Sequence, residues 1–466
     1  MLAKNVLTCG NAPLSAAIIS ERLEAVVVKF RQQIRQMVDS IGAAGVSPTE
    51  FQKLTAGLRA ASATAALETL VAVVEAADPV ESTIGDERGT HRFRGVATKE
   101  WLTPFGVAKV SRRYYAGEGP ARCLVPLDVL MGMVGRYLTP EVEEMAAFAS
   151  GAMTPCEVEQ FLAKVLPVAP SATAIKRAVC DVGEFLESER VAVETQIVAA
   201  SPLSKQGAHL VVSWDGVMVP LRGDQETCWK EASVGRVSIY GQPSEVDGKP
   251  PLLDSRYFAR MPESGMGTLI DQVAASVADV RAQRAFDRVA VICDGKDSIW
   301  KVAKERSEFD GAVLILDFYH ASKTLSDAAD AIFGKETKEA RRWHQRRCDQ
   351  LQLEVGAINN LLRTLRRHEK LIPVGSDGRD VVRRAIAHFK KNRDRMRYAD
   401  FIAMGLPIGS GHIESAAKNI VQARLKRSGM RWSITGGQHV LNIRTRVKDS
   451  RWEAAWAAYS APRMAE

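Results

Sequence analysis

Residues 209–221 read HLVVSWDGVMVPL. Apolar residues crowd both sides of one acidic residue, Asp215, and a glycine follows it. So short and apolar a run predicts a buried strand with a carboxylate in its middle or at its end. Downstream, residues 227–240 and 251–261 predict two further strands, joined by a loop bearing Gly and Pro. Leu269, Ile270, Val273, Val277 and Val280 recur at helical spacing. Residues 289–293 (VAVIC) and 312–316 (AVLIL) are wholly apolar, as expected of buried parallel strands, with a crossover helix at 299–306 between them.

The element order is therefore three strands, helix, strand, helix, strand. Three antiparallel strands extended by two parallel ones describe an α/β chain with an RNase H-like mixed sheet. From Ala321 to about Tyr398 the pattern turns helical and rich in Arg, Lys and Gln. A last helical segment follows the break at Gly409-Ser410-Gly411. Residues 205–335 and 399–450 are thus expected to form a catalytic domain, with 336–398 a helical insertion that projects from it.

Upstream, the chain reads as mostly α-helical. Residues 1–85 form one region: Leu23, Val26, Val27, Phe30 and Ile34 recur at helical spacing, and Ser47-Pro48-Thr49-Glu50 reads as a helix start. Residues 79–90 carry Pro, Ser, Gly and charges, which predicts a linker. A second region, 91–200, opens with short strands or a hairpin around Phe93, Val96, Val107, Val110 and Tyr114. Within it, 154–187 read as helix, break and capped helix: Thr154-Pro155 opens the first, and Ser171 caps the second, which runs through Ile175, Val179 and Val182. That is the pattern of a DNA-binding helix-turn-helix, with Lys176 and Arg177 early on the second helix, and equally that of an ordinary helical hairpin.

The chain has 466 residues, 46% of them hydrophobic, and a net charge of +8. This charge is modest for the size, but basic residues crowd into 363–368, 383–397 and 424–431, where they can neutralise phosphates. The seven cysteines show no CxxC or CxxH spacing, which argues against a zinc site or a disulfide framework. Scattered thiols suit a reducing cytoplasm. The N-terminus shows no charged-then-apolar leader and no apolar run approaches a membrane span, so neither export nor a membrane partner is expected.

Asp215 and Asp294 each end or interrupt an apolar strand and precede a glycine. Glu414 sits just inside the helix after Gly-Ser-Gly. Singly, each reads as well as a turn. Together, at the ends of adjacent parallel strands with a third carboxylate reaching over from a helix, they make a hard-oxygen cage for Mg²⁺ or Mn²⁺. Two such ions about 3.5–4 Å apart serve phosphodiester chemistry. Asp317 also ends an apolar strand. Sheet order favours Asp294, because the first strand lies beside the fourth, and the fifth lies one spacing further out.

The stretches WDGVMVPL (214–221), ICDGKDSIW (292–300), LDFYHASKTL (316–325), GLPIGSGHIESAAK (405–418) and RLKRSGMRWS (424–433) carry a resemblance. From about residue 205 to its end, the chain is similar to the ISKra-type insertion-sequence transposases, relatives of the Mutator-like group. The resemblance implies a DDE transposase with Asp215, Asp294 and Glu414 as catalytic metal ligands. It also implies that Asp317-Phe318-Tyr319-His320 is a D-x-x-H signature close to the site. Tyr114-Tyr115 and Pro126-Leu127-Asp128 have the family's look, but the Cys-rich knuckle of relatives is replaced by AGEGPARCLV with Cys123 alone.

The expected activity is metal-dependent strand cleavage and strand transfer by a homo-oligomer bound to its element's terminal inverted repeats and to target DNA. Arg427 and Arg431 are candidates for phosphate contacts. Trp432 is a candidate for stacking on a base or for core packing, and His320 for orienting DNA or for holding Asp317. Two other readings stay open: a catalytically silent, transposase-derived DNA-binding protein, and a stand-alone metal-dependent nuclease.

Overall fold

The computed structural model describes residues 16–45, 47–86, 89–117, 123–200, 206–223, 227–246, 248–409 and 411–464. The chain is mixed α/β and separates into two compact units. One holds the chain up to Gln196 together with the segment from Trp452, and the other is Ile197–Arg451.

In the first unit, helices Ala16–Ala44 and Pro48–Ala76 pack as a hairpin. The turn follows from local chemistry: Pro48 has no N–H to lose, and the Ser47 hydroxyl accepts the Glu50 N–H at 3.2 Å. Arg22 pairs with Glu75 at 2.9 Å, tying the start of one helix to the end of the other. Pro48–Ala76 is, among the described residues, the one helix long and apolar enough to cross a membrane by length and composition. The expectation of no such run overlooked its alanines. Its buried Val74 packs with Trp101, Ala108 and Val110 of the neighbouring sheet.

That sheet has four antiparallel strands in the order β1-β2-β3-β4: β1 Thr83–Asp86, β2 Gly89–Thr103, β3 Gly106–Ala116 and β4 Cys123–Leu124. The stretch read as a linker therefore contains a strand. It is also anchored, because the buried Tyr115 hydroxyl donates to the carbonyls of Pro79 and Glu81 at 3.0 and 2.9 Å. Among the helices that follow, Pro140–Ser150, Pro155–Val165 and Ala172–Ser188 pack around Val142, Ala146, Val158, Leu162 and Ile175. Thr154 and Glu157 form a reciprocal capping box, and Ser171 accepts the Ala174 N–H at 3.3 Å. The last helix, Trp452–Met464, belongs to this unit: Tyr459 donates to Glu143 at 2.8 Å and Trp452 to Glu144 at 3.2 Å.

The second unit is built on a five-stranded sheet: β5 His209–Arg222, β6 Thr227–Tyr240, β7 Leu252–Arg260, β8 Arg288–Cys293 and β9 Val313–Leu316. The order is β7-β6-β5-β8-β9, with β5, β6 and β7 antiparallel and β5, β8 and β9 parallel. The first strand of the sheet thus lies beside the fourth, and the fifth lies outside it.

One core joins this sheet to helices Gly267–Gln283, Asp297–Glu305 and Phe318–Phe333, and also to Lys338–Leu353, Ala357–Leu371 and Asp377–Lys391. The last three are the expected insertion, and they pack on one another and on helix Phe318–Phe333. Leu361, Leu365, Val382 and Phe389 are buried in the same continuous core as Val212, Ile292 and Ile315. The reason is their amphipathicity, since each helix has an apolar face that must be covered. A second core lies around Val217, Val219, Ala232 and Val234, covered by Ile413, Ala416, Ile420 and Leu441.

Candidate active site

Side chains alternate along β5. Asp215 falls in the same alternation as Val217, Val219 and Leu221, which pack against Ile413, Ala416 and Ala417. The helix carrying Glu414 therefore covers the face of β5 that presents Asp215. Gly216 is required by close approach: a Cβ there would stand 1.9 Å from Glu231 Oε1. Its N–H donates to Asp215 Oδ1 at 2.7 Å.

Asp294 follows β8 directly. Its Oδ1 accepts the Lys296 N–H at 3.2 Å, and its Oδ2 lies 3.5 Å from Lys296 Nζ. The same ammonium donates to Glu231 Oε1 at 3.0 Å. Gly295 is covered by an insertion side chain, since a Cβ would meet His388 Cε1 at 2.5 Å.

Electrostatics tie these groups together. Burial raises the Asp215 carboxyl most; the Gly216 N–H opposes this, the Asp294 charge adds to it, and His320 and Lys296 lower it. Burial works to lower the Lys296 ammonium, but its bond to Glu231 and the charges of Asp294, Glu231 and Asp215 outweigh it and hold it raised. The His320 imidazole is raised, first by its hydrogen bond to Asp317, against burial, and then by the charges of Asp317, Asp294 and Asp215.

Asp317 is fully buried. It caps helix Phe318–Phe333, accepting from the N–H groups of Tyr319 and His320 at 3.3 and 3.2 Å, and it lies 2.7 Å from His320 Nδ1. Its own N–H donates to the Cys293 carbonyl at 2.9 Å. Asp317 thus holds His320, whose imidazole is also raised by the charges of Asp294 and Asp215.

Glu414 is half-buried on the six-residue helix Gly411–Ala416, which passes into a π-helical turn, Ala417–Gln422. Its Oε2 lies 3.7 Å from Lys418 Nζ. Among the described residues, no three His, Cys, Asp or Glu side chains gather as a metal-holding group. Among these carboxylates, the charge of Asp294 acts on Asp215, and the Glu414 helix covers the same face of β5 with its carboxylate 3.7 Å from Lys418.

Sequence reasoning missed Glu231, Lys296 and His388. Lys296 stands two residues after Asp294 and could have been flagged there. Glu231 lies in a strand pattern, and His388 is far along the insertion; nothing local marks either.

The nucleic-acid candidates divide. Lys176 and Arg177 are exposed near the start of helix Ala172–Ser188, and Arg427 and Arg431 are exposed. Trp432 is taken up by packing. Its indole N–H donates to the Leu425 carbonyl at 3.0 Å, Arg424 lies over its ring at 5.1 Å, and its backbone bridges Leu221. The basic run 383–397 is partly spent internally. Arg383 pairs with Glu369 and Asp380, Lys391 with Asp297, and Arg397 with Asp400, while Arg395 covers Trp300.

No family model matches the chain, and no curated protein sequence aligns with it significantly.

Proposed function

We propose that this chain is a DDE transposase of the ISKra type, with an RNase H-like catalytic unit. The observation that carries this reading is the sheet order β7-β6-β5-β8-β9, with Asp215 on the central strand and Asp294 at the end of the parallel neighbour. Few architectures put two carboxylates on adjacent parallel strands and cover them with a helix bearing a third.

The donor set fits Mg²⁺ or Mn²⁺. Asp215 and Asp294 are hard oxygen donors, and the first is desolvated beside the charge of the second, a repulsion that a divalent cation relieves. Asp215 and Asp294 would hold the metal, with Glu414 turned from Lys418 to complete the set. Bound there, a divalent cation supplies activation of the attacking oxygen and stabilisation of the leaving one. Glu231 draws the Lys296 ammonium toward itself and so keeps it beside Asp294 rather than upon it. Asp317 holds His320 in one orientation. The exposed Lys176 and Arg177 would grip the terminal repeats, and Arg427 and Arg431 the phosphates of the strand being cut. The working form is proposed to be a homo-oligomer that brings two ends together.

The test is a joining assay. Purified protein, Mg²⁺, a duplex carrying the repeats that flank the coding region and a supercoiled target plasmid are incubated together. Joined products are expected. Cutting without joining supports a nuclease, and binding without either supports a silent DNA-binding protein. One observation favours that last reading: Lys296 and Lys418 already stand 3.5 and 3.7 Å from the carboxylates of Asp294 and Glu414.

A further inference from the structure

Trp229 is 51% exposed, while the other seven tryptophans are buried or half-buried. So large an apolar ring is costly to leave in water. It stands on β6 opposite Pro220 of β5, and the next pair on the same face is Glu231 with Met218, itself 46% exposed. Beyond them lie Gly216 with Ser233 and then Trp214, which lines a cavity of about 390 Å³ together with Lys296 and Ile299. Trp229 and Met218 are thus two exposed apolar side chains on one face of the β5–β6 pair, and the buried Ser233 and Trp214 beyond them line the cavity that also holds Lys296.

The charge around this face is positive. Lys426 Nζ lies 5.5 Å above the Trp229 ring. Lys230 and Arg222 are exposed on the same hairpin, and the exposed Arg431 adjoins Trp432, whose backbone pairs with Pro220 and Arg222. The carboxylate on this face, Glu231, is held by Lys296 at 3.0 Å.

We propose that Trp229 is a stacking platform for an unpaired base of a DNA strand that passes the site, with Lys426, Lys230 and Arg431 on its phosphates. A flat ring offered to solvent among cations is the chemistry that binds single-stranded nucleic acid without regard to sequence. This inference rests on the DNA reading above.

The test measures binding of two fluorescein-labelled oligonucleotides by wild type, Trp229→Ala and Trp229→Phe: a blunt duplex, and the same duplex with a short single-stranded overhang. Trp229→Ala is expected to weaken overhang binding by about 10-fold, in line with about 1–3 kcal/mol per stacked base, and to leave blunt binding unchanged. Trp229→Phe is expected to restore most of the loss. Lys426→Ala is expected to lower the salt dependence of overhang binding by about one counterion. Equal overhang affinity in wild type and Trp229→Ala overturns the proposal. So does an equal loss on both oligonucleotides, or loss of oligomer with DNA binding intact, which would make the ring a contact between copies of this chain. If the wild type binds neither oligonucleotide, the DNA reading itself has failed.

Discussion

Asp294 and Asp317 differ in what their carboxylates hold. Asp317 accepts two backbone N–H groups and lies beside His320 while fully buried. Asp317→Ala is expected to cost about 1–2 kcal/mol through the lost cap, visible as a lower Tm. Asp294→Ala is expected to leave Tm near wild type, and an equal fall in both would show that Asp294 too is structural. A second residue offers a pH test. Burial is the main cause that raises Asp78 to about 6, against the Arg113 N–H that it accepts at 2.6 Å. A carboxyl raised on folding binds its proton more tightly in the native state, so stability falls as pH rises from about 4 to about 6. Asp78→Asn is expected to gain on wild type over that window by on the order of 1–2 kcal/mol, allowing for solvent screening. A difference that stays constant with pH contradicts this. Asp215 and Asp294 stood out in the sequence because each is a lone carboxylate before a glycine, one within and one just after an apolar strand. Glu231, Lys296 and His388 did not, because their place in the site comes from strand pairing and from an insertion far along the chain.

The five strands of the second sheet were legible as elements, β5, β8 and β9 as apolar runs and β6 and β7 as mixed runs on either side of a loop bearing Gly and Pro. β1 was not: TIGD is four residues without alternation, and pairing with β2 makes it a strand. The insertion helices announced apolar faces but not their partner, and that partner is chiefly helix Phe318–Phe333, through which they join the core of the unit. Phe389→Ala is therefore expected to destabilise the whole unit by about 3–5 kcal/mol. Chemical denaturation checks this, since a transition confined to the insertion, with the sheet still folded, would show an independent subdomain. The helix pair 155–165 and 172–188 is capped as the sequence predicts, and its exposed basic start is expected to bind DNA. Lys176→Ala/Arg177→Ala is expected to weaken binding to the terminal repeats and to reduce its salt slope by up to about two. Unchanged affinity and slope would move recognition elsewhere.

At the scale of the molecule, one unit carries a helix with two exposed basic residues near its start and the other a carboxylate pair on a mixed sheet. The proposed division of labour follows: the first recognises ends, the second cuts and joins. The account stands on the second. The direct measurement is single-turnover cleavage of an end-bearing duplex in Mg²⁺ by wild type, Asp215→Ala, Asp294→Ala, Glu414→Ala and Asp317→Ala, with binding and Tm recorded for each. The account predicts that the first three variants bind and fold normally but lose cleavage by at least about three orders of magnitude, the scale of a removed metal ligand. Asp317→Ala is predicted to keep measurable cleavage at a lowered Tm. Cleavage that persists in Asp294→Ala, or that vanishes in Asp317→Ala with its Tm unchanged, would contradict the account.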